Sequence, residues 1–195
     1  HTVEHLADRL SELADIMVQT TLDLCWQKLK SRHPRPELPP QFAVIAYGKL
    51  GGKELGFASD LDLVYLHDDP ESGAGEIYAR LGQRMSTWMS SQTAAGTLFE
   101  VDLRLRPNGD AGMLVCPVDA FRDYQLQHAW VWEHQALTRA RFCAGDRALG
   151  EKFEAIRTEI LRQPRDLATL RREVLAMRQR MLEQHGSGSQ ESVSY

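Results

Sequence analysis

Six consecutive apolar residues, Phe42-Ala43-Val44-Ile45-Ala46-Tyr47, stand between a proline-rich stretch and Gly48. The run is short, rich in strand-forming side chains and cut off by Gly48, Gly51 and Gly52, so it reads as a buried strand entering a turn. Leu61 to Leu66 reads as a second strand. Helical patterns bracket this pair. Val3, Leu6, Leu10, Leu13, Met17 and Leu24 recur at three- and four-residue spacing, which predicts an amphipathic helix over 1–33. Pro34, Pro36, Pro39 and Pro40 exclude a helix interior and make 34–40 a stiff extended connector. Ile77, Leu81, Met85, Trp88 and Met89 return to helical spacing, and Gly96 closes that element before a strand expected at Thr97-Leu98-Phe99.

In Glu100-Val101-Asp102-Leu103-Arg104-Leu105-Arg106 every charged residue is even-numbered and every aliphatic one odd. That period of two predicts a strand with Val101, Leu103 and Leu105 in the core and Glu100, Asp102, Arg104 and Arg106 together on the other face. A helical region is expected over 117–185. Pro117 and Asp119 suit its start, Leu149, Phe153, Ile156 and Ile160 form one stripe, and Leu167, Leu170, Val174, Met177 and Met181 define the last helix. The Gly-Ser-rich 186–195 reads as a disordered tail. Strands clustered between helices, rather than regularly alternating with them, predict an α+β architecture with its core over 41–116.

A chain of 195 residues favours one compact domain, with or without a helical annex. Lys+Arg total 23 against Asp+Glu 27, and a net charge of −4 disfavours wrapping a long nucleic acid as the main activity. No stretch approaches the roughly 18 uninterrupted apolar residues of a membrane span, and no basic-apolar-small leader opens the chain, so a cytoplasmic location is expected. Cys25, Cys116 and Cys143 are odd in number and form no C-x-x-C, which argues for packed, reduced thiols. An opening His1 in place of Met reads as a piece of a longer protein. His1 and His5 have the spacing of a metal pair, but no third ligand accompanies them, and Trp130 and Trp132 are expected to pack in a core or interface.

The chemistry concentrates in two places. Gly48-Lys49-Leu50-Gly51-Gly52-Lys53 fits neither the Walker nor the dinucleotide pattern, but a glycine turn after a strand can expose backbone N–H groups to phosphate. Asp60 and Asp62 project from one face at the start of the second strand. An isolated D-x-D pair is most often a solvated strand edge. Beside a glycine turn, and with Asp102 as a third carboxylate, the same pair suits two Mg²⁺ ions about 3.5–4 Å apart. Arg104 and Arg106 then suit phosphate oxygens, although a salt-bridged ladder has the same sequence.

Gly51-Gly52, the spaced Asp60-Leu61-Asp62 and the later Asp102 resemble the polymerase-beta-like nucleotidyltransferases. Gly48 through Leu55, Ser59 through Leu63, Val101 through Pro107, and Trp132 through Leu137 with Arg139 and Arg141 look like the bacterial glutamine synthetase adenylyltransferases, which carry two homologous halves with opposed activities. The resemblance implies a nucleotidyltransferase palm, a small mixed sheet with helices. It also implies AMP transfer from MgATP to a tyrosine of glutamine synthetase, in the control of nitrogen assimilation. Asp60, Asp62 and Asp102 would be catalytic and hold two Mg²⁺, and Gly51, Gly52, Ser59, Arg104 and Arg106 would bind the nucleotide. Glutamine synthetase is the implied partner, with the PII signalling protein and glutamine acting on the whole enzyme; no nucleic acid or membrane is implied. Phe57-Ala58-Ser59-Asp60 and Ala129 through His134 resemble the adenylylating half. The phosphorolytic half and an inert nucleotide-sensing or docking module are the alternatives; a nucleic-acid nucleotidyltransferase is disfavoured by the charge.

Overall fold

The computed structural model describes residues 3–94 and 96–187, with backbone alone for Val3 and 180–187. In chain order its elements are α1 (Val3–Leu29), β1 (Phe42–Ala46), a four-residue helix α2 (Gly48–Gly51), β2 (Leu61–His67), α3 (Ala74–Ser90), the hairpin β3 (Gln92–Thr93) and β4 (Gly96–Thr97), β5 (Val101–Asp102), β6 (Val115–Pro117), α4 (Val118–Gln127), α5 (Val131–Leu137), β7 (Arg141–Gly145), α6 (Arg147–Leu161) and α7 (Leu167–Ser187). This is a mixed α+β architecture.

The sheet runs β5-β2-β1-β7, with β6 also pairing β2. β1 is antiparallel to β2 and β7, whereas β5 and β6 lie parallel to β2, at its start and at its end respectively. Strand alternation divides the core in two. Phe42, Val44, Ala46, Leu61, Leu63 and Tyr65 pack against α1 and α3 through Val18, Leu22, Tyr78, Leu81 and Met85. Ala43, Ile45, Val64 and Leu66 pack against α4, α5 and α6 through Phe121, Leu137, Phe153 and Ile156. Both faces of β1 and β2 are covered, which is why these strands read as nearly continuous apolar runs.

α1 runs over Val3–Leu29, within the expected span 1–33, but buries a different face. Ser11, Ala14, Val18, Thr21, Leu22 and Cys25 are buried, while Leu6, Leu13, Ile16 and Leu24 are exposed. The small residues let the helix lie close to the sheet, and the Ser11 and Thr21 hydroxyls donate to the carbonyls of Ala7 and Met17, so they enter the core with their protons satisfied.

Four further expectations change. The segment over 117–185 contains a strand as well as helices, since β7 completes the far edge of the sheet. Thr97-Leu98-Phe99 does not start a sheet strand, because Thr97 ends in the hairpin with β3. The strand expected over 100–106 stops at Asp102, and the chain then turns. The expected tail begins inside α7, which runs to Ser187; 188–195 lie outside the described residues, as does His1. The three cysteines are free, Cys25 and Cys116 buried and Cys143 half-buried. Among the described residues no helix is long and apolar enough to cross a membrane.

Candidate functional site

Two parallel strands bring the carboxylates together. Leu61 donates its N–H to Glu100 O (2.8 Å), and the register pairs Leu61 with Val101 and Asp62 with Asp102. Asp60 and Asp62 leave β2 on one side, two residues apart, and Asp102 stands on the neighbouring strand. One oxygen from each of the three lies within 4.8 Å of the others, with Asp60 exposed and Asp62 and Asp102 half-buried. Oxygen donors alone suit a hard cation such as Mg²⁺ or Mn²⁺.

The electrostatics divide the cluster. Burial first, then the charges of Asp60 and Asp102, raise the Asp62 pKa above the ordinary carboxylate value, with Arg104 and Lys49 acting in the opposite sense. Asp102 moves the other way, held low chiefly by hydrogen bonds from the Arg104 side chain. A divalent cation among the three would remove the repulsion that raises Asp62.

The glycine turn after β1 abuts the same acids. Tyr47 donates its N–H to Asp62 O (2.9 Å), and the chain turns at Gly48 with φ +55°. A Cβ on Gly48 would overlap Asp62 Oδ2, so this glycine is the one on which the site geometry depends. Motif reading overlooked it in favour of Gly51 and Gly52; its position directly after the strand was the available signal. The latter two have their N–H groups engaged within the turn, donating to Tyr47 O and Gly48 O. Gly51 is buried where a Cβ would strike Arg139 O and Ala46 O, and Gly52 lies against the Arg139 side chain. Ser59 closes a local turn, its Oγ accepting from Gly56 N–H (3.2 Å).

Arg104 and Arg106 flank Asp102 in unlike ways. Arg104 turns back onto Asp102 with its backbone N–H, Nε and Nη2. Arg106 is tied to the chain instead, Nη1 donating to Leu103 O (2.8 Å) and lying 3.4 Å from Asp110. Asp60, Glu100, Asp102, Arg104, Arg106 and Asp110 line one open groove of about 470 Å³. The residues expected on one strand face thus share a surface, although the strand itself ends early.

A clamp from β7 holds the turn, and sequence reasoning did not find it. Arg141 pairs with Asp15 of α1 through both terminal nitrogens (2.8 and 2.9 Å) and donates to Leu50 O (3.0 Å). Cys143 Sγ donates to the same Asp15, and Gly145 N–H donates to Gln19. Arg139 reaches Glu54 beyond the glycines. The tryptophans do not fill a core: Trp130 is 67% and Trp132 42% exposed. Trp130 and His134 line a separate cleft against α7, away from the carboxylates.

Fold and site together define an α+β domain that presents three convergent carboxylates, with an arginine on one of them, at the start of β2, where the edge strand β5 pairs with it. The family model for glutamate-ammonia ligase adenylyltransferase matches residues 1–156, and the chain belongs to that family. It is 64% identical over 97% of its length to a bifunctional glutamine synthetase adenylyltransferase/adenylyl-removing enzyme of Aromatoleum aromaticum. Proteins of the same description from Burkholderia pseudomallei and Bordetella bronchiseptica are 56% and 57% identical over 94% and 97% of the chain. The chain spans about a fifth of the length of each of these relatives.

Proposed function

We propose that this domain is a nucleotidyltransferase palm that transfers AMP from MgATP to a tyrosine hydroxyl of glutamine synthetase. The observation that carries the reading is the convergence of Asp60, Asp62 and Asp102 beside a groove lined by Arg104 and Arg106. The three carboxylates would hold two Mg²⁺ ions, which supply neutralisation of phosphate charge and acidification of the attacking hydroxyl. The tyrosine oxygen attacks the α-phosphorus in line, the α–β bridging bond breaks, pyrophosphate leaves, and the hydroxyl proton passes to Asp102. The protein positions and neutralises, with little covalent work of its own. Ser59 and the turn containing Gly51 and Gly52 form the proposed triphosphate side, the glycines serving as close-packed backbone. Arg104 and Arg106 face the phosphates across the groove.

Phe57-Ala58-Ser59-Asp60 and Ala129 through His134 support the adenylylating rather than the phosphorolytic assignment. A cytoplasmic location, and regulation by the PII signalling protein and glutamine in the longer protein, belong to the same proposal. The test is incubation of the chain with α-labelled ATP, Mg²⁺ and glutamine synthetase, and separately with phosphate and labelled, adenylylated glutamine synthetase. Label gained in the first supports transfer; loss as ADP in the second, without gain in the first, assigns the opposite activity. Retained transfer in Asp60→Asn or Asp62→Asn would sink the site assignment.

A further inference from the structure

Asp102 is fully engaged by one neighbour. Its Oδ1 accepts from Arg104 N–H (2.8 Å) and Nε (3.0 Å), and its Oδ2 from Nε (2.9 Å) and Nη2 (2.5 Å). A carboxylate gripped through both oxygens by a guanidinium fork has given its best lone pairs to that fork. Yet an oxygen of Asp102 also converges with those of Asp60 and Asp62 to within 4.8 Å, where a divalent cation would require it. Guanidinium and metal therefore draw on the same oxygens, and both are cations.

The two arginines of the groove differ in freedom. The Arg104 side chain is 74% exposed over an Asp102 side chain that is 14% exposed, so the arginine can swing away while the acid stays in place. Arg106 is 12% exposed and bound to Leu103 O, which anchors it. Only the arginine end of the pair is open to solvent, so water can take over its hydrogen bonds when it leaves. Rotation about its own side-chain bonds keeps Arg104 along the groove it already lines.

We propose that Arg104 is a resident counter-cation for the carboxylate cluster: divalent metal displaces it from Asp102, and the freed guanidinium moves onto the nucleotide's phosphates. The idea rests on the metal-and-ATP reading above and adds an order of events to it. Arg104 opposes metal binding when metal binds alone and favours nucleotide once metal is bound. A residue that merely supported local structure would affect both in the same direction.

The opposed signs make the test. Mn²⁺ binding to the chain is measured by electron paramagnetic resonance of the free ion, and binding of an ATP analogue with a methylene α–β bridge is measured by calorimetry at saturating Mn²⁺. Arg104→Gln should bind Mn²⁺ roughly threefold or more tightly, because a competing positive charge next to the site is gone, and should bind the analogue about tenfold more weakly for lack of its phosphate partner. Arg104→Lys keeps the charge but not the fork, and should fall between wild type and Arg104→Gln in both measurements. Unchanged or weakened Mn²⁺ binding in Arg104→Gln, or unchanged analogue binding, overturns the exchange. Asp62→Asn separates the two levels of the argument. If it loses Mn²⁺ while Arg104→Gln behaves as wild type, the exchange alone is wrong; if it binds Mn²⁺ as wild type does, the metal site itself is wrong and the exchange falls with it.

Discussion

Replacing Gly48 with alanine asks two separable things of the fold. The first is backbone strain: φ at this residue is +55°, and an L side chain held in that region costs about 1–2 kcal/mol. The second is a collision, since the added Cβ would overlap Asp62 Oδ2, so either the carboxylate or the turn must move. Displacing a group that positions reactants by about 1 Å costs on the order of 100-fold in rate. Gly48→Ala should therefore lose about 1–2 kcal/mol by urea denaturation and roughly 100-fold in AMP transfer. Gly73→Ala isolates the first effect from the second: its φ is +82°, it precedes α3, and an added Cβ there meets nothing within 4 Å. It should lose a similar stability and keep the wild-type rate. Wild-type transfer by Gly48→Ala, or an equal loss of rate in Gly73→Ala, would refute the claim that this glycine exists to seat Asp62.

The raised pKa of Asp62 means that its ionisation opposes folding as pH rises from the ordinary carboxylate value through the raised one, with a constant penalty above. Asp62→Asn should thus be more stable than wild type at pH 7 with chelator present, by an increment that shrinks on acidification, while transfer is lost; thermal melts across that pH range provide the check. At the opposite end of β2, buried Asp69 accepts from His33 Nε2 (2.8 Å), Tyr78 Oη (2.8 Å) and Glu71 N–H (3.0 Å). Burial alone would raise its pKa, but these bonds bring it below the ordinary value, so its contribution is complete above that value and is lost as pH falls through the depressed one. Asp69→Asn should cost about 3 kcal/mol at pH 7, measured in urea, and progressively less in acid, with Mn²⁺ binding at the distant carboxylates retained. Arg141→Ala should raise the KM for ATP more than it lowers kcat, because it frees the glycine turn at Leu50 O, and Arg141→Lys should restore only part, since one ammonium cannot reproduce the two-nitrogen grip on Asp15.

β1 and β2 were legible because both faces of the strands are buried, leaving apolar runs that end at glycine or aspartate. The carboxylate set was legible because Asp60 and Asp62 stand at strand-like spacing and Asp102 lies in a second alternating run, which parallel pairing then brings together. β7 was hidden for the converse reason: Arg141 sits in the strand only because Asp15 and Leu50 O, far away in the chain, satisfy it. The alternation over 100–106 was genuine, yet Arg104 spends it on a turn back to Asp102 instead of a ladder. In α1 the helical period was clear but not its direction. Large leucines mark one stripe, while the buried stripe is built from Ser11, Ala14 and Thr21, whose small size permits the close approach to the sheet. Gly48 opened the glycine segment in sequence, but no motif there set it apart from Gly51 and Gly52; its meeting with Asp62 across the turn does.

The proposal stands or falls on whether Asp60, Asp62 and Asp102 hold the metals of a nucleotide-transfer site. Crystals of the chain grown with Mn²⁺ and the methylene-bridged ATP analogue, recorded at the manganese edge, test it directly. Two anomalous peaks about 3.5–4 Å apart are expected among the three carboxylates, with the analogue's phosphates in the groove beside Arg104 and Arg106. Anomalous density absent from the carboxylates, or an analogue seated in the Trp130 cleft instead, would contradict it.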